Sequence, residues 1–211
     1  MIIQFTERTL PRLYDELAAE EKCFRNIINE YGHPPLWVRP NSFETLVLTI
    51  LEQQVSLASA YAAYTRLKNR LAEIVPESLL QLSDEDLRAC SFTRQKISYV
   101  RGLAEAIINK KIDLQSFEHL PDAEVRNQLK QLKGIGDWTV DIYLLHALQR
   151  TDIFPLGDLA LVNGMRMVYG DPSLSKEAIA QLAERWKPYR SMATMLFWHY
   201  YIQKKGIKLL H

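Results

Sequence analysis

A chain of 211 residues with 47% apolar and 24% charged residues has an ordinary globular balance and enough length to bury a core, as one compact unit or two small subdomains. Its formal net charge of +1 excludes gross charge as the route to a nucleic-acid partner, so any such partner must be held by local geometry. Cys23 and Cys90 stand far apart in no metal-ligand spacing, which argues against zinc and iron–sulfur centres and fits a reducing compartment.

In chain order, the opening "MIIQFTERTLPRLYDELAAEEK" lacks the apolar core of a signal peptide, and no later run reaches bilayer length. A soluble intracellular protein without a membrane partner is expected, cytoplasmic in a prokaryote or nuclear in a eukaryote. After "RPNS", where Asn41 or Ser42 can cap, Phe43, Leu46, Val47, Ile50, Leu51 and Val55 share one helical face. Ile97, Val100, Leu103, Ala104, Ile107 and Ile108 repeat that spacing. Pro121-Asp122 starts another helix, with Val125, Leu129 and Leu132 on one side. From Asp137 to Leu148 the pattern is apolar almost all round, which predicts a buried central helix. "TDIFPL" is at most a short extended link. Ser175 caps a helix bearing Ile179, Leu182, Ala183 and Trp186, and the last helix begins near Pro188 and runs through "YRSMATMLFWHYY". With no strand alternation and no internal repeat, the fold class is all-α.

Between the helices at Pro121 and Asp137 stands "LKGIG", a helix-hairpin-helix with its reversal at about residues 132–137. Gly134 and Gly136 permit backbone angles that side chains obstruct, and the amides opening the next helix form an anion site. A phosphate held this way is bound without regard to base sequence. Arg126, Lys130 and Lys133 lie near enough to add attraction, or else form a solvated face. A Gly-x-Gly between helices is also a plain turn, and Asp158, after Pro155 and Gly157, is equally a helix N-cap.

Four stretches in order, "ILEQQVSLASA", "LKGIGDWT", "DIFPLGDLAL" and "ERWKPYRSMATMLFW", resemble the helix-hairpin-helix (HhH-GPD) DNA glycosylases, specifically the AlkA and yeast Mag type of 3-methyladenine-DNA glycosylase. The resemblance runs from about "YGHPPLWVRP" to "MLFW". It implies a two-lobed all-α fold with the active site in the interlobe cleft. Residues 42–150 would form the lobe carrying the hairpin, and residues 1–41 would pack with 151–211 as the second. The additional β-rich domain of AlkA has no room in this length. The implied activity is hydrolysis of the N-glycosidic bond of alkylated bases, such as 3-methyladenine and 7-methylguanine, in double-stranded DNA. A monomer needing no cofactor is expected.

Residue by residue, the resemblance makes Asp158 the catalytic carboxylate and Trp138, Trp198 and Gln53 the base pocket. Gly134, Gly136, Thr139 and Gln54 become DNA contacts, with Gln54 as the wedge that fills the gap left by a flipped base. Relatives that also nick the strand carry lysine two residues after the second hairpin glycine. Trp138 stands there, which implies base removal without AP lyase activity. Ile142 and Leu159 replace tyrosines of AlkA and leave a less aromatic pocket. The family hairpin also implies a monovalent cation, Na+ or K+, on the backbone carbonyls of Lys130, Leu132 and Ile135. The alternative is a non-catalytic helix-hairpin-helix protein that recognises damaged or abasic DNA.

Overall fold

The structure, a computed structural model, describes residues 3–207. Among them the regular structure is helical, and an isolated bridge from Gln4 to Arg150 stands in place of any strand. The chain divides into two compact units, one of Ile3–Val38 with Leu144–Lys208 and one of Arg39–Tyr143. Both divisions fall earlier than the boundaries read from sequence, and the second lies inside a helix instead of after it.

The first unit opens with α1 (Leu10–Glu20) and α2 (Lys22–Tyr31). The second contains α3 (Phe43–Glu52), α4 (Leu57–Arg70), α5 (Pro76–Gln81), α6 (Asp84–Ala89), α7 (Arg94–Ile108) and α8 (Asp122–Leu129). Next comes α9 (Asp137–His146), which begins in the second unit and ends in the first. The first unit closes with α10 (Leu159–Tyr169), α11 (Lys176–Ala183) and α12 (Arg190–Lys205).

In the first unit α12 is the centre. Nine consecutive residues, Ser191 to His199, are buried, as an element surrounded by others requires. Phe24 meets Trp186 and Phe197 edge to face at 5.3 and 5.1 Å between ring centroids, and Trp186 and Phe197 are tilted on one another at 5.3 Å. At Gly164, on α10, a Cβ would sit 2.7 Å from the Phe197 carbonyl, so glycine is what lets α10 lie against α12. Ser191 pins the link that leads to Asp158: its hydroxyl donates to the Arg150 carbonyl (2.6 Å) and accepts from the Ile153 amide (2.9 Å). The opening segment is stitched to the same link, Phe5 N–H to the Gln149 carbonyl at 2.9 Å.

In the second unit Leu46, Val47 and Ile50 of α3 are fully buried, as are Val100, Leu103 and Ala104 of α7. Ser42 caps α3 by accepting from Thr45 N–H, Thr93 caps α7, and in the first unit Ser175 caps α11. Several ends differ from the sequence reading. The helix expected to reach Val55 stops at Glu52, where Gln53 turns extended and Gln54 takes a left-handed φ of 57°. Leu132 lies beyond α8, Leu148 beyond α9, and α12 starts at Arg190, two residues after Pro188. At Leu148, 1% exposed, buried spacing continues past the end of the backbone ladder.

Candidate active site

Asp158 is the N-cap of α10, which explains why the helical pattern starts immediately after it. Two N–H groups converge on its Oδ1: the Leu161 amide at 2.8 Å and the indole Nε1 of Trp198 at 2.9 Å. The amide comes from the carboxylate's own helix and the indole from α12, so the group is fixed both locally and by tertiary packing. Both donors meet the same oxygen and so hold the carboxylate in one orientation.

Trp198 is buried, 8% exposed. The His146 ring lies parallel to its indole, with centroids 5.5 Å apart and planes 10° apart, and Trp37 meets it edge-on at 6.3 Å. His146 Nδ1 stands 2.6 Å from the Trp37 carbonyl. A carbonyl only accepts, so Nδ1 carries the hydrogen. Neighbouring His199 meets the Tyr31 carbonyl at 3.2 Å, and burial lowers its pKa against the opposing pull of that bond. Sequence reading assigned Trp198 to the pocket and missed that its N–H holds Asp158. It also gave no part to His146, whose only sequence signal is a histidine within the apolar second half of that helix. Trp186, 1% exposed, is a core residue as expected, although it lies in a short 3-10 turn after the end of α11 and not on that helix.

The hairpin, in the other unit, is built differently. Gly134 has φ +86°, and a Cβ there would run into the ring of Tyr99 from α7. Glycine is required at this position twice over, for its angle and for its missing side chain. Gly136 has neither constraint: its φ is not left-handed and nothing lies within 4 Å of a Cβ. The expectation that both glycines serve the reversal is therefore corrected for Gly136, which leaves open space at the start of α9. Gln53 braces the turn, its Nε2 donating to the Gly134 carbonyl (2.9 Å) and to Thr139 Oγ1 (2.8 Å). Thr139 is 2% exposed and Trp138 half-buried.

Gln54 follows, exposed in its left-handed turn, with Val55 46% and Leu57 49% exposed beyond it. The end of α3 is tied down by Lys96, whose buried ammonium donates to the Leu51 carbonyl at 2.6 Å. Burial lowers the Lys96 pKa.

Of the basic residues expected beside the hairpin, two are already committed. Arg126 reaches Asp141 at 2.5 Å and Asp137 at 3.3 Å, and Lys130 reaches Asp137 at 2.8 Å. The attraction predicted for Arg126 and Lys130 is thus offset by two carboxylates that helical spacing places on α9. Lys133 is exposed. The hydrogen bond from Lys130 is the largest cause holding the Asp137 carboxyl below its usual range. Among the carbonyls proposed for a cation, Leu132 O accepts from Ile135 N–H at 3.2 Å. Among the described residues, no group of three or more His, Cys, Asp or Glu stands where it could hold a metal ion, and no helix is long and apolar enough to cross a membrane.

Residues 47–188 match the HhH-GPD superfamily of base excision DNA repair proteins. DNA-3-methyladenine glycosylase 1 of Schizosaccharomyces pombe is 32% identical over 161 residues, 74% of this chain and 71% of the relative. The YfjP protein of Bacillus subtilis is 27% identical over 181 residues; the match takes in 82% of this chain and 63% of that protein, less than two thirds of its length. Among solved structures, the S. pombe 3-methyladenine DNA glycosylase Mag1, in complex with abasic DNA, superposes with a TM-score of 0.84 at 26% identity, over 95% of this chain and 100% of the other.

Proposed function

The chain belongs to the HhH-GPD superfamily of base excision DNA repair proteins, and we propose that it is a monofunctional DNA glycosylase that removes alkylated bases from double-stranded DNA. The observation that carries this reading is the carboxylate of Asp158, held on one oxygen by a helix amide and an indole N–H. Breaking an N-glycosidic bond leaves positive charge on the deoxyribose, and a fixed carboxylate stabilises that charge as it develops. Water then bonds to the anomeric carbon and loses a proton, while the base leaves with the electrons of the broken bond. A cationic base such as 7-methylguanine departs neutral and needs no proton from the protein.

In this reading Gly136 and the first amides of α9 meet a DNA phosphate. Gln54 is the wedge; its exposure and outward turn support the assignment. Trp138 stacks on the flipped base, whose extrusion costs a few kcal/mol. Gln53, with its amide donors on the hairpin, contributes to the pocket by holding the turn beside Trp138. Carbonyls of Lys130, Leu132 and Ile135 would hold a monovalent cation through lone pairs that the turn bond to Leu132 does not use.

Trp138 occupies the position where strand-nicking relatives keep lysine, which supports base removal without strand cleavage. The test is incubation of methylated duplex DNA with the protein. Free 3-methyladenine or 7-methylguanine should appear with the strand intact until alkali is added, and borohydride should trap no covalent complex. Tight binding of abasic duplex with no base released would instead favour the non-catalytic recognition protein.

A further inference from the structure

Asp158 can act only if its carboxylate keeps one orientation, and one of the bonds that fix it comes from Trp198. An indole N–H is directional: rotating the ring plane by a few tens of degrees takes the hydrogen off the line to Oδ1 and weakens the bond steeply. Something must therefore hold the ring plane. The Leu161 amide does not, since it acts on the carboxylate alone. Trp37 touches the indole edge-on and leaves its tilt unset. The remaining aromatic contact is the His146 ring, face to face at 5.5 Å and within 10° of parallel. His146 is itself immobilised, 8% exposed and bonded from Nδ1 to the Trp37 carbonyl at 2.6 Å.

We propose that His146 is a positioning residue for the glycosylase reaction: the face of its ring, stacked on the indole, sets the plane of Trp198 and through it the orientation of the Asp158 carboxylate. The proposal rests on Asp158 being the catalytic group. It gives α9 a part at each end. The helix starts at the hairpin glycine and finishes in the support of the carboxylate, in the two separate units. It also gives a reason for a buried histidine at the last position of α9.

Two variants separate the stack from the bond. His146→Phe keeps a flat face and loses the donor; His146→Asn keeps a donor near the position of Nδ1 and loses the face. Trp198→Phe, which removes the N–H itself, calibrates the full effect. Single-turnover release of 7-methylguanine, affinity for abasic duplex, and the ¹H–¹⁵N cross-peak of the Trp198 indole are the three measurements. His146→Asn should release base about tenfold more slowly, approaching Trp198→Phe, as expected when a hydrogen bond to a charged group is lost. His146→Phe should stay within about threefold of the unaltered protein. Abasic-duplex affinity should hold within about twofold in both, because a contribution confined to the transition state leaves ground-state binding alone. The Trp198 cross-peak should move in His146→Asn and stay in place in His146→Phe.

An unmoved cross-peak and unaltered release in His146→Asn would overturn the proposal. So would equal losses in Asn and Phe, or a loss that follows DNA affinity, since these point to the Trp37 bond or to general packing. If the unaltered protein releases no base, the glycosylase reading fails on its own, while the indole cross-peak still decides whether His146 sets the plane of Trp198.

Discussion

In the unit that carries Asp158, position is set by side chains pressed on one another: Ser191 on the link, Trp198 on the carboxylate, His146 on Trp198, the Trp37 carbonyl on His146. In the unit that carries the hairpin, position is set by backbone. Gly134 bends where Tyr99 leaves no room for a Cβ, and Gln53 reaches back to a carbonyl and a hydroxyl. The charges follow the same division. One buried network converges on a single carboxylate, whereas two cations and two carboxylates offset one another beside the hairpin. Stabilising a developing charge demands an oriented group in a dry place; holding a phosphate of any sequence demands amides at a fixed turn and little else.

Six substitutions break or sharpen that contrast. The largest effect belongs to the side-chain site: Asp158→Asn should slow single-turnover base release on the order of 10²–10³-fold, and release at the unaltered rate would remove Asp158 from the mechanism. Next comes Gly134→Ala, which combines a left-handed φ with a clash on Tyr99 and should cost about 2–4 kcal/mol in urea denaturation. Its control is Gly136→Ala, with no such φ and open space around it. That variant should unfold with the unaltered protein and lose affinity for DNA; equal stability losses at the two glycines would erase the distinction drawn between them.

Trp138→Ala should reduce excision of cationic bases by about 2 kcal/mol, the loss of a desolvated cation–π contact, and affect undamaged duplex binding less. Parallel losses in the two assays would refute the stacking role. Gln53→Ala removes two part-buried bonds and should destabilise the fold by about 1–2 kcal/mol in thermal melts, with hairpin amides exchanging faster in hydrogen-exchange measurements. Slow exchange in that variant would mean the hairpin needs no brace. The smallest effect is Asp137→Asn. The Asp137 pKa is lowered, so the carboxylate is charged throughout the neutral range and is lost only below the ordinary carboxylate pKa. Neutralising it should raise DNA affinity about two- to fivefold at low salt, a gain that disappears as salt screens the site. Affinity unchanged at every salt concentration would put Asp137 beyond the reach of the phosphates.

Two of the helices legible in the sequence have a cap and a one-sided apolar stripe, α3 after Ser42 and α11 after Ser175, while α9 showed through its largely apolar run. The short α5 and α6 carry too few apolar positions for a stripe, whereas α1 carries one, Leu10, Leu13, Tyr14, Leu17 and Ala18, that the sequence reading passed over. At the candidate site, local chemistry was legible and tertiary chemistry was not. The N-cap geometry of Asp158 follows from its neighbours, yet the bond from Trp198 joins residues forty positions apart. The pairing of Arg126 with Asp141 joins two helices across a turn whose angle the residue spacing does not specify. The bond from Lys96 to the Leu51 carbonyl, near the end of α3, joins residues separated by a whole helix and two short ones.

The carboxylate that caps α10 has a consequence for how this chain can change over generations. Asparagine is as good an N-cap as aspartate, and the codons of the two differ by a single base. One transition at position 158 therefore yields a protein that folds, keeps its hairpin and still meets DNA, while the proposed chemistry is gone. Selection on stability would not see the change, so sequences of this build stand one step from becoming lesion-binding proteins without a reaction.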